Sequence, residues 1–419
     1  MKKIIRTIIS VEFIFAVFLL SGAFKEVFTW IPVDLTIATL LITFLIAMKR
    51  LYEKRTINIE ATHILVIFII FIFIMLLSIL YTDSNSYFID KTLRFVFITS
   101  WAFIAPFLIL NTKQTLSKFI TALAIIASIA SIMVLYNYFN NSNVNTNFVG
   151  ISGGNYLGTA RLIGAGSVSL LIIYIYQENI QKSFRLITIV CLIFSVFALL
   201  LTGARMPVIA FGITFLSILL FGIIIKENKV YIKTGVKRII TIILFIFVGY
   251  FILKDSEFTQ TFFSRIKILF NDAGMSGAGR FERFETAIDM IAENPLFGQG
   301  IGSYGINFSG RDSREYAHNI LFEVSSEMGL IGLTLILLMI AIVLIRTIFN
   351  IKYGGYYNIW IFASLVYLIT NAFVSGDLND NRLLFAFLGI AAHSSAFIIS
   401  EKNLDSADKI KASFSEGTH

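Results

Sequence analysis

The chain is short of charge. Only 14% of its 419 residues are Asp, Glu, Lys or Arg, where a soluble domain carries about 25%. It is also poor in the residues that carry metal and redox chemistry. Four histidines (His63, His318, His393, His419) and one cysteine (Cys191) are scattered through it, so neither a Cys/His cluster nor a His-Glu-x-x-His helix offers a metal site. A single cysteine makes no internal disulfide, and Cys191 reads as filler inside an apolar run. No Gly-rich loop ends in Lys-Ser/Thr, and "GQGIGSYG" follows a helical stretch and a proline rather than a strand, so it is no dinucleotide fingerprint. These absences exclude a nucleotide-binding domain and point to no cofactor. They leave no soluble domain to act on nucleic acid, although the net charge is +8.

What is present is hydrocarbon. The chain is 57% hydrophobic, with a mean hydropathy of +0.82, and apolar runs of about 20 residues recur along it, each long enough to cross a bilayer. The pattern predicts an all-α polytopic membrane protein with about 12 transmembrane helices, near 4–21, 32–48, 62–81, 93–110, 116–137, 158–176, 185–202, 205–225, 238–253, 317–345, 356–374 and 383–400. A tight turn at "LTGARMPV" splits a run of about 40 residues, twice what one crossing needs. The opening resembles a secretory signal, but its run is long for one, and it reads as the first span. Most of the 34 Lys and Arg fall in alternate connections, which predicts that both termini face the cytoplasm. The organisation expected is spans 1–9 in 1–253, an extracytoplasmic loop in 254–316, spans 10–12 in 317–400 and a cytoplasmic tail in 401–419.

The long loop is the unusual feature, because structureless loops of that length tend to be functional. Phe281, Phe284, Ile288 and Ile291 recur at helical spacing, Pro295 ends the helix, and glycines mark turns after it. This predicts a short amphipathic helix on the outer membrane surface. Arginines gather at the same face: Arg161, Arg205 and Arg382 at the ends of spans, and Arg280, Arg283, Arg311 and Arg314 in the loop. Charges so near hydrocarbon snorkel, pair or serve a function. Arg205 has apolar helix on both sides and is the least free to snorkel. A guanidinium fork suits phosphate oxygens. Of the four histidines only His318 lies on this face, and a neutral imidazole can take a proton from a hydroxyl.

The stretch "GRFERFETAIDMIAENPLFGQGIGSYG", followed by "AHNILFEVSSEMGLIGL", resembles the O-antigen polymerase/ligase family of bacterial membrane glycosyltransferases. The likeness rests on Arg280, on Pro295-Leu296-x-Gly298-x-Gly300, on His318-Asn319 and on Gly329-Leu330-x-Gly332. "LLTGARMPVIAF" is similar to the family's Thr-x-x-Arg segment and adds Arg205. The strong likeness covers about 200–335. It implies a GT-C-like membrane enzyme of the bacterial inner membrane. Such an enzyme moves a glycan from an undecaprenyl-diphosphate carrier to an acceptor glycan hydroxyl on the outer face, with no metal. His318 would be the general base, and Arg205, Arg280 and Arg314 would bind the diphosphate. Tyr316, Tyr304 and Arg311 are candidate acceptor or sugar contacts. The expected partners are the lipid-linked oligosaccharide, the acceptor and membrane lipid, with a chain-length regulator left open. Polymerisation of repeat units is the leading expectation. Ligation to lipid A core is the alternative, and a flippase for lipid-linked sugars is a weaker one, since no internal repeat is visible.

Overall fold

A computed structural model describes residues 6–30, 32–54, 62–140, 148–151, 155–177, 181–226, 229–253 and 273–394. The expected tail, the first part of the expected long loop and the end of the twelfth expected span lie outside the described residues. The chain is almost wholly helical. Its elements are α1 Val11–Leu20, α2 Leu35–Lys54, α3 Thr62–Leu77, α4 Tyr87–Leu93, α5 Ser100–Ile109, α6 Lys113–Asn140, α7 Tyr156–Tyr176, α8 Lys182–Leu201, α9 Arg205–Phe221, β1 Ile223–Lys226, β2 Lys229–Ile232, α10 Thr234–Leu253, α11 Ala273–Glu293, α12 Tyr304–Ser309, α13 Ile320–Ala372 and α14 Arg382–Ala392. A π-helical turn, Arg94–Thr99, joins α4 to α5.

Among the described residues seven helices are long and apolar enough to cross a membrane: Leu35–Glu53, Thr62–Leu80, Tyr87–Ile109, Lys113–Asn140, Tyr156–Tyr176, Lys182–Leu201 and Ile320–Ile351. This is fewer than the twelve expected. Val11–Ala23, Arg205–Phe221 and Arg382–Ala392 are apolar but shorter. The tenth and eleventh expected spans run together as α13, which breaks its helical geometry at Gly329 and Gly355. A hairpin also interrupts the all-α expectation. The eighth expected span stops at Phe221, and β1 pairs antiparallel with β2 in the register Ile223↔Ile232 and Lys226↔Lys229. Ile, Val and Tyr in "IIIK" and "KVYI" suit strands better than helix. The break at "LTGARMPV" is as the sequence predicts: α8 ends at Leu201 and α9 starts at Arg205.

α7 lies at the centre, buried along nearly its whole length. Between lipid-embedded helices, close approach and interhelical hydrogen bonds replace the hydrophobic drive found in water, and α7 is rich in Gly, Ala and Ser. The later half of α13 packs against it, with Trp360 Nε1 donating to Ser169 Oγ at 3.0 Å and the Tyr367 hydroxyl to the Arg161 carbonyl at 3.2 Å.

Gly329 ties the expected motifs into one construction. Its backbone (φ 64°, ψ −166°) is one that glycine adopts without penalty, and it breaks the first turns of α13 from the rest. The break frees carbonyls and amides, which must be paired elsewhere when buried. The Pro295–Gly300 segment supplies the partners. Gln299 and Gly300 donate their amides to the Ser326 and Glu327 carbonyls, both at 2.9 Å, and the Pro295 carbonyl accepts from Leu330 at 2.8 Å. Gly298 lies so close that an added Cβ would come within 2.5 Å of the Glu327 carbonyl carbon. The Pro-Leu-x-Gly-x-Gly run and the Gly-Leu-x-Gly run are therefore two halves of one joint.

Lys91 lies in sequence between the third and fourth expected spans. It is instead buried, with Nζ 2.6 Å from Glu323 and 2.7 Å from Glu327, both carboxylates also buried. The Leu378 amide donates to Glu323 at 3.0 Å, and Asn379 Nδ2 donates to the Lys91 carbonyl at 3.0 Å. This cluster bolts α4, the start of α13 and the segment before α14 together. Removing one partner of a buried charge cluster costs about 3–5 kcal/mol, because the charge left behind stays desolvated. Lys91→Met is expected to lower the thermal unfolding midpoint of the purified protein sharply, whereas replacing the exposed Lys49 should leave it nearly unchanged.

Candidate functional site

Arg161 lies in the second turn of α7, Arg205 and Arg382 open α9 and α14, Arg280 and Arg283 lie on α11, and Arg311, Arg314 and His318 lie between α12 and α13. His318 stands just before α13. Its backbone is left-handed (φ 55°), the one non-glycine residue with positive φ among the described residues. Such a conformation is costly for a residue with a Cβ and persists where the surroundings enforce it. Here Asn319 enforces it from the next position. Its side chain caps α13 by accepting from the Leu321 and Phe322 amides at 2.8 and 3.3 Å, an N-cap of the favoured residue type.

The imidazole is half-buried. The ring of Tyr316 meets it edge-on, with centroids 4.4 Å apart. Among the described residues no protein group hydrogen-bonds its nitrogens. Burial lowers its basicity first, and the charges of Arg283, Arg280 and Arg161 lower it further against the weaker pull of Glu315, so its pKa falls to about 4. The ring is therefore neutral, with a lone pair available, over the whole physiological pH range.

α11 covers the stretch whose apolar spacing is helical. Phe281 and Ile288 are exposed, at 70% and 51%, while Ala287 and Met290 are buried. Ala287 and Met290 join Tyr304 and Ala317 in a small cluster, with Phe308 and Phe322 packed against it. The helix is turned so that Arg280 and Arg283, three residues apart and hence on one side, face inward. Arg283 is fully engaged. It pairs with Glu315 at 2.7 Å, donates to the Tyr316 carbonyl at 3.1 Å and lies over the Phe308 ring at 4.2 Å. It thereby holds the chain just before His318.

Arg205 opens α9 after a turn in which Gly203 is left-handed and Thr202 Oγ1 accepts from the Ala204 amide at 3.3 Å. Its charge acts on Arg280, and both act on the phenol of Tyr156 at the start of α7. Burial depresses the basicity of the Arg280 guanidinium, and Arg205 adds to that. Among the described residues neither arginine has a carboxylate partner. Two guanidinium groups with no counter-charge repel each other, and an incoming anion relieves that repulsion.

The remaining expected residues sit as follows. The Arg314 fork is already filled, with Nε 2.8 Å from Asp377 and a terminal nitrogen 2.7 Å from Asp380. Burial opposes its charge, but those two carboxylates outweigh it and hold its pKa above the usual value. Of the three arginines expected at a diphosphate, then, Arg205 and Arg280 are the two with no carboxylate partner among the described residues. Arg314 instead braces Tyr316, 5.9 Å from that ring. Tyr304 is wholly buried, its hydroxyl donating to the Arg283 carbonyl at 2.7 Å, which leaves no ring face for a sugar. Tyr316 is half-buried beside His318, and burial, with Asp380 and Asp377, raises its phenol to about 12. Arg311 lies exposed on the turn after α12. Asp377, Asp380, Glu315 and Tyr156 were missed. Each lies far along the chain, or on a different element, from the group it acts with, and no local pattern marks it.

Compared with known proteins, residues 189–337 match the family model described as O-antigen ligase. No curated protein matches the chain. The matched stretch runs from α8 into α13 and so includes Arg205, Arg280 and His318. The match covers about a third of the chain, and α7, with Tyr156 and Arg161, lies outside it.

Proposed function

We propose that the chain, whose membership of the O-antigen polymerase/ligase family is supported over residues 189–337, transfers a glycan from an undecaprenyl-diphosphate carrier to an acceptor sugar hydroxyl on the outer face of the bacterial inner membrane. The observation that carries this reading is a pair of interacting guanidinium groups, Arg205 and Arg280, with no carboxylate partner among the described residues, of which Arg280 also acts on the neutral imidazole of His318. Arg205 and Arg280 grip the diphosphate and stabilise the charge that develops on it as it leaves. His318 removes the acceptor proton. The acceptor oxygen attacks the anomeric carbon as the carbon–oxygen bond to the diphosphate breaks, and the electron pair departs with the phosphate. Direct displacement inverts the anomeric configuration, and the guanidinium groups supply positive charge without a metal ion. Arg283, through Glu315 and the Tyr316 carbonyl, fixes the segment that presents the imidazole.

Polymerisation of lipid-linked repeat units is the activity proposed first. The matching family, described as O-antigen ligase, favours ligation to a lipid A core as the second reading. Incubating purified protein in lipid nanodiscs with lipid-linked repeat units alone separates them. Growth of a ladder of longer lipid-linked chains supports polymerisation. Transfer only after lipid A core is added supports ligation, and no transfer in either mixture overturns both.

A further inference from the structure

Five arginines stand around His318 and its neighbours, and what each one holds divides them. Arg283 is matched by Glu315, and Arg314 by Asp377 and Asp380. Arg205 and Arg280 have no carboxylate and form the proposed diphosphate grip. Arg161 is the fifth, and it too has no carboxylate partner among the described residues.

Arg161 lies on α7 five residues after Tyr156, about 7.5 Å further along the helix axis. Its guanidinium is fixed in place. One terminal nitrogen donates to Ser375 Oγ at 2.8 Å. Its face lies against Gly376, a left-handed residue where an added Cβ would come within 2.6 and 2.7 Å of the two terminal nitrogens. Nε is buried and has no hydrogen-bond partner. Ser375 stands two residues before Asp377, whose partner Arg314 lies 5.9 Å from the Tyr316 ring that meets His318, and the charge of Arg161 acts on both of those rings. A clamped, unmatched cation with an idle donor is expensive near hydrocarbon unless it has a function. Beside a general base it also opposes the proton that the base must accept, and an anion between the two groups removes that conflict.

We propose that Arg161 is a third guanidinium of the anion site, contacting the sugar-proximal phosphate of the donor at the reacting end. This rests on the function proposed above. In that reaction the acceptor proton passes to His318, the new glycosidic bond forms and the diphosphate leaves with one more negative charge. Arg161 is placed to meet that charge, while Arg205 and Arg280 hold the diphosphate in both ground and transition states.

The test uses full-length protein in nanodiscs and farnesyl diphosphate as the probe, with binding followed by ligand-induced thermal stabilisation and calorimetry. Losing one charge-assisted contact weakens binding by about tenfold or more, and Arg161→Gln should show that loss with an unchanged ligand-free unfolding midpoint. Arg205→Gln, measured alongside, should lose at least as much. If Arg161→Gln does not fold, Arg161→Lys carries the test, because a point charge does not replace the fork, and it should bind the probe more weakly than wild type. In turnover assays Arg161→Lys should lower kcat more than it raises KM, a split that a purely structural role would not produce. Wild-type probe affinity in the Arg161 variants, with loss in Arg205→Gln, overturns the assignment of Arg161 and leaves the diphosphate site standing. Wild-type affinity in all of them overturns the diphosphate site itself.

Discussion

His318→Ala is expected to lower glycan transfer by about 10²–10⁴-fold, the usual contribution of a positioned general base, while the protein still folds and still binds the lipid diphosphate. The binding should survive because the imidazole makes no hydrogen bond to the protein among the described residues and the arginines stand on other elements. Folding should survive because Asn319, not His318, caps α13. Alanine is strained at φ 55° as histidine is, so His318→Gly provides the companion variant, equally inactive and free of that strain. The pH profile supplies an independent sign. Burial and the charges of Arg283, Arg280 and Arg161 favour the neutral ring, with a pKa of about 4 in the free protein. The acid limb of kcat/KM therefore falls well below the ordinary histidine value of about 6.5. In the donor complex the bound anion offsets the arginines, so the acid limb of kcat should lie at higher pH than that of kcat/KM. Normal polymer from His318→Ala contradicts the assignment.

The second large effect concerns the two arginines without carboxylates. Arg205→Lys and Arg280→Lys keep the charge but lose the planar fork, and each is expected to reduce kcat/KM by about 10²-fold, within the range for losing one transition-state donor. The double substitution should cost less than the product of the two single losses, because groups that grip the same anion are not independent. Arg314→Lys should behave differently. Its fork is occupied by Asp377 and Asp380, so its loss falls mainly on the placement of Tyr316 and on stability, with donor affinity nearly retained. If Arg314→Lys weakened donor binding as much as Arg280→Lys, the sorting of arginines by their partners would be contradicted.

The sequence made some of this legible and hid the rest for physical reasons. Pro295, Gly298, Gly300 and Gly329 could be read as punctuation because backbone break and left-handed turn need particular residues. That they form one joint, with the amides of Gln299 and Gly300 serving carbonyls of α13, could not be read, since hydrogen bonds between distant segments leave no local spacing. Arg205, Arg280 and His318 could be singled out because each lies where charge meets hydrocarbon. Which arginines are free and which are matched depends on Glu315, Asp377 and Asp380, and a carboxylate 63 residues from its arginine looks like any loop residue. Lys91 misled in the same way: beside Asp90 and just before an apolar run it reads as a loop charge, yet Glu323 and Glu327 draw it inside. The helical spacing of Phe281 and Ile288 on α11 could be read, but not which side chains seat the helix on the protein. The packing uses the smaller Ala287 and the flexible Met290, and leaves the large apolar residues outward.

The most direct measurement is an electron cryo-microscopy structure of the full-length protein in nanodiscs with undecaprenyl diphosphate bound. The account predicts the diphosphate between the Arg205 and Arg280 guanidinium groups, with the imidazole of His318 facing the reacting end and the Arg314 fork still on Asp377 and Asp380. A diphosphate bound away from Arg205 and Arg280, or with His318 on the far side of the bundle from it, would contradict the account.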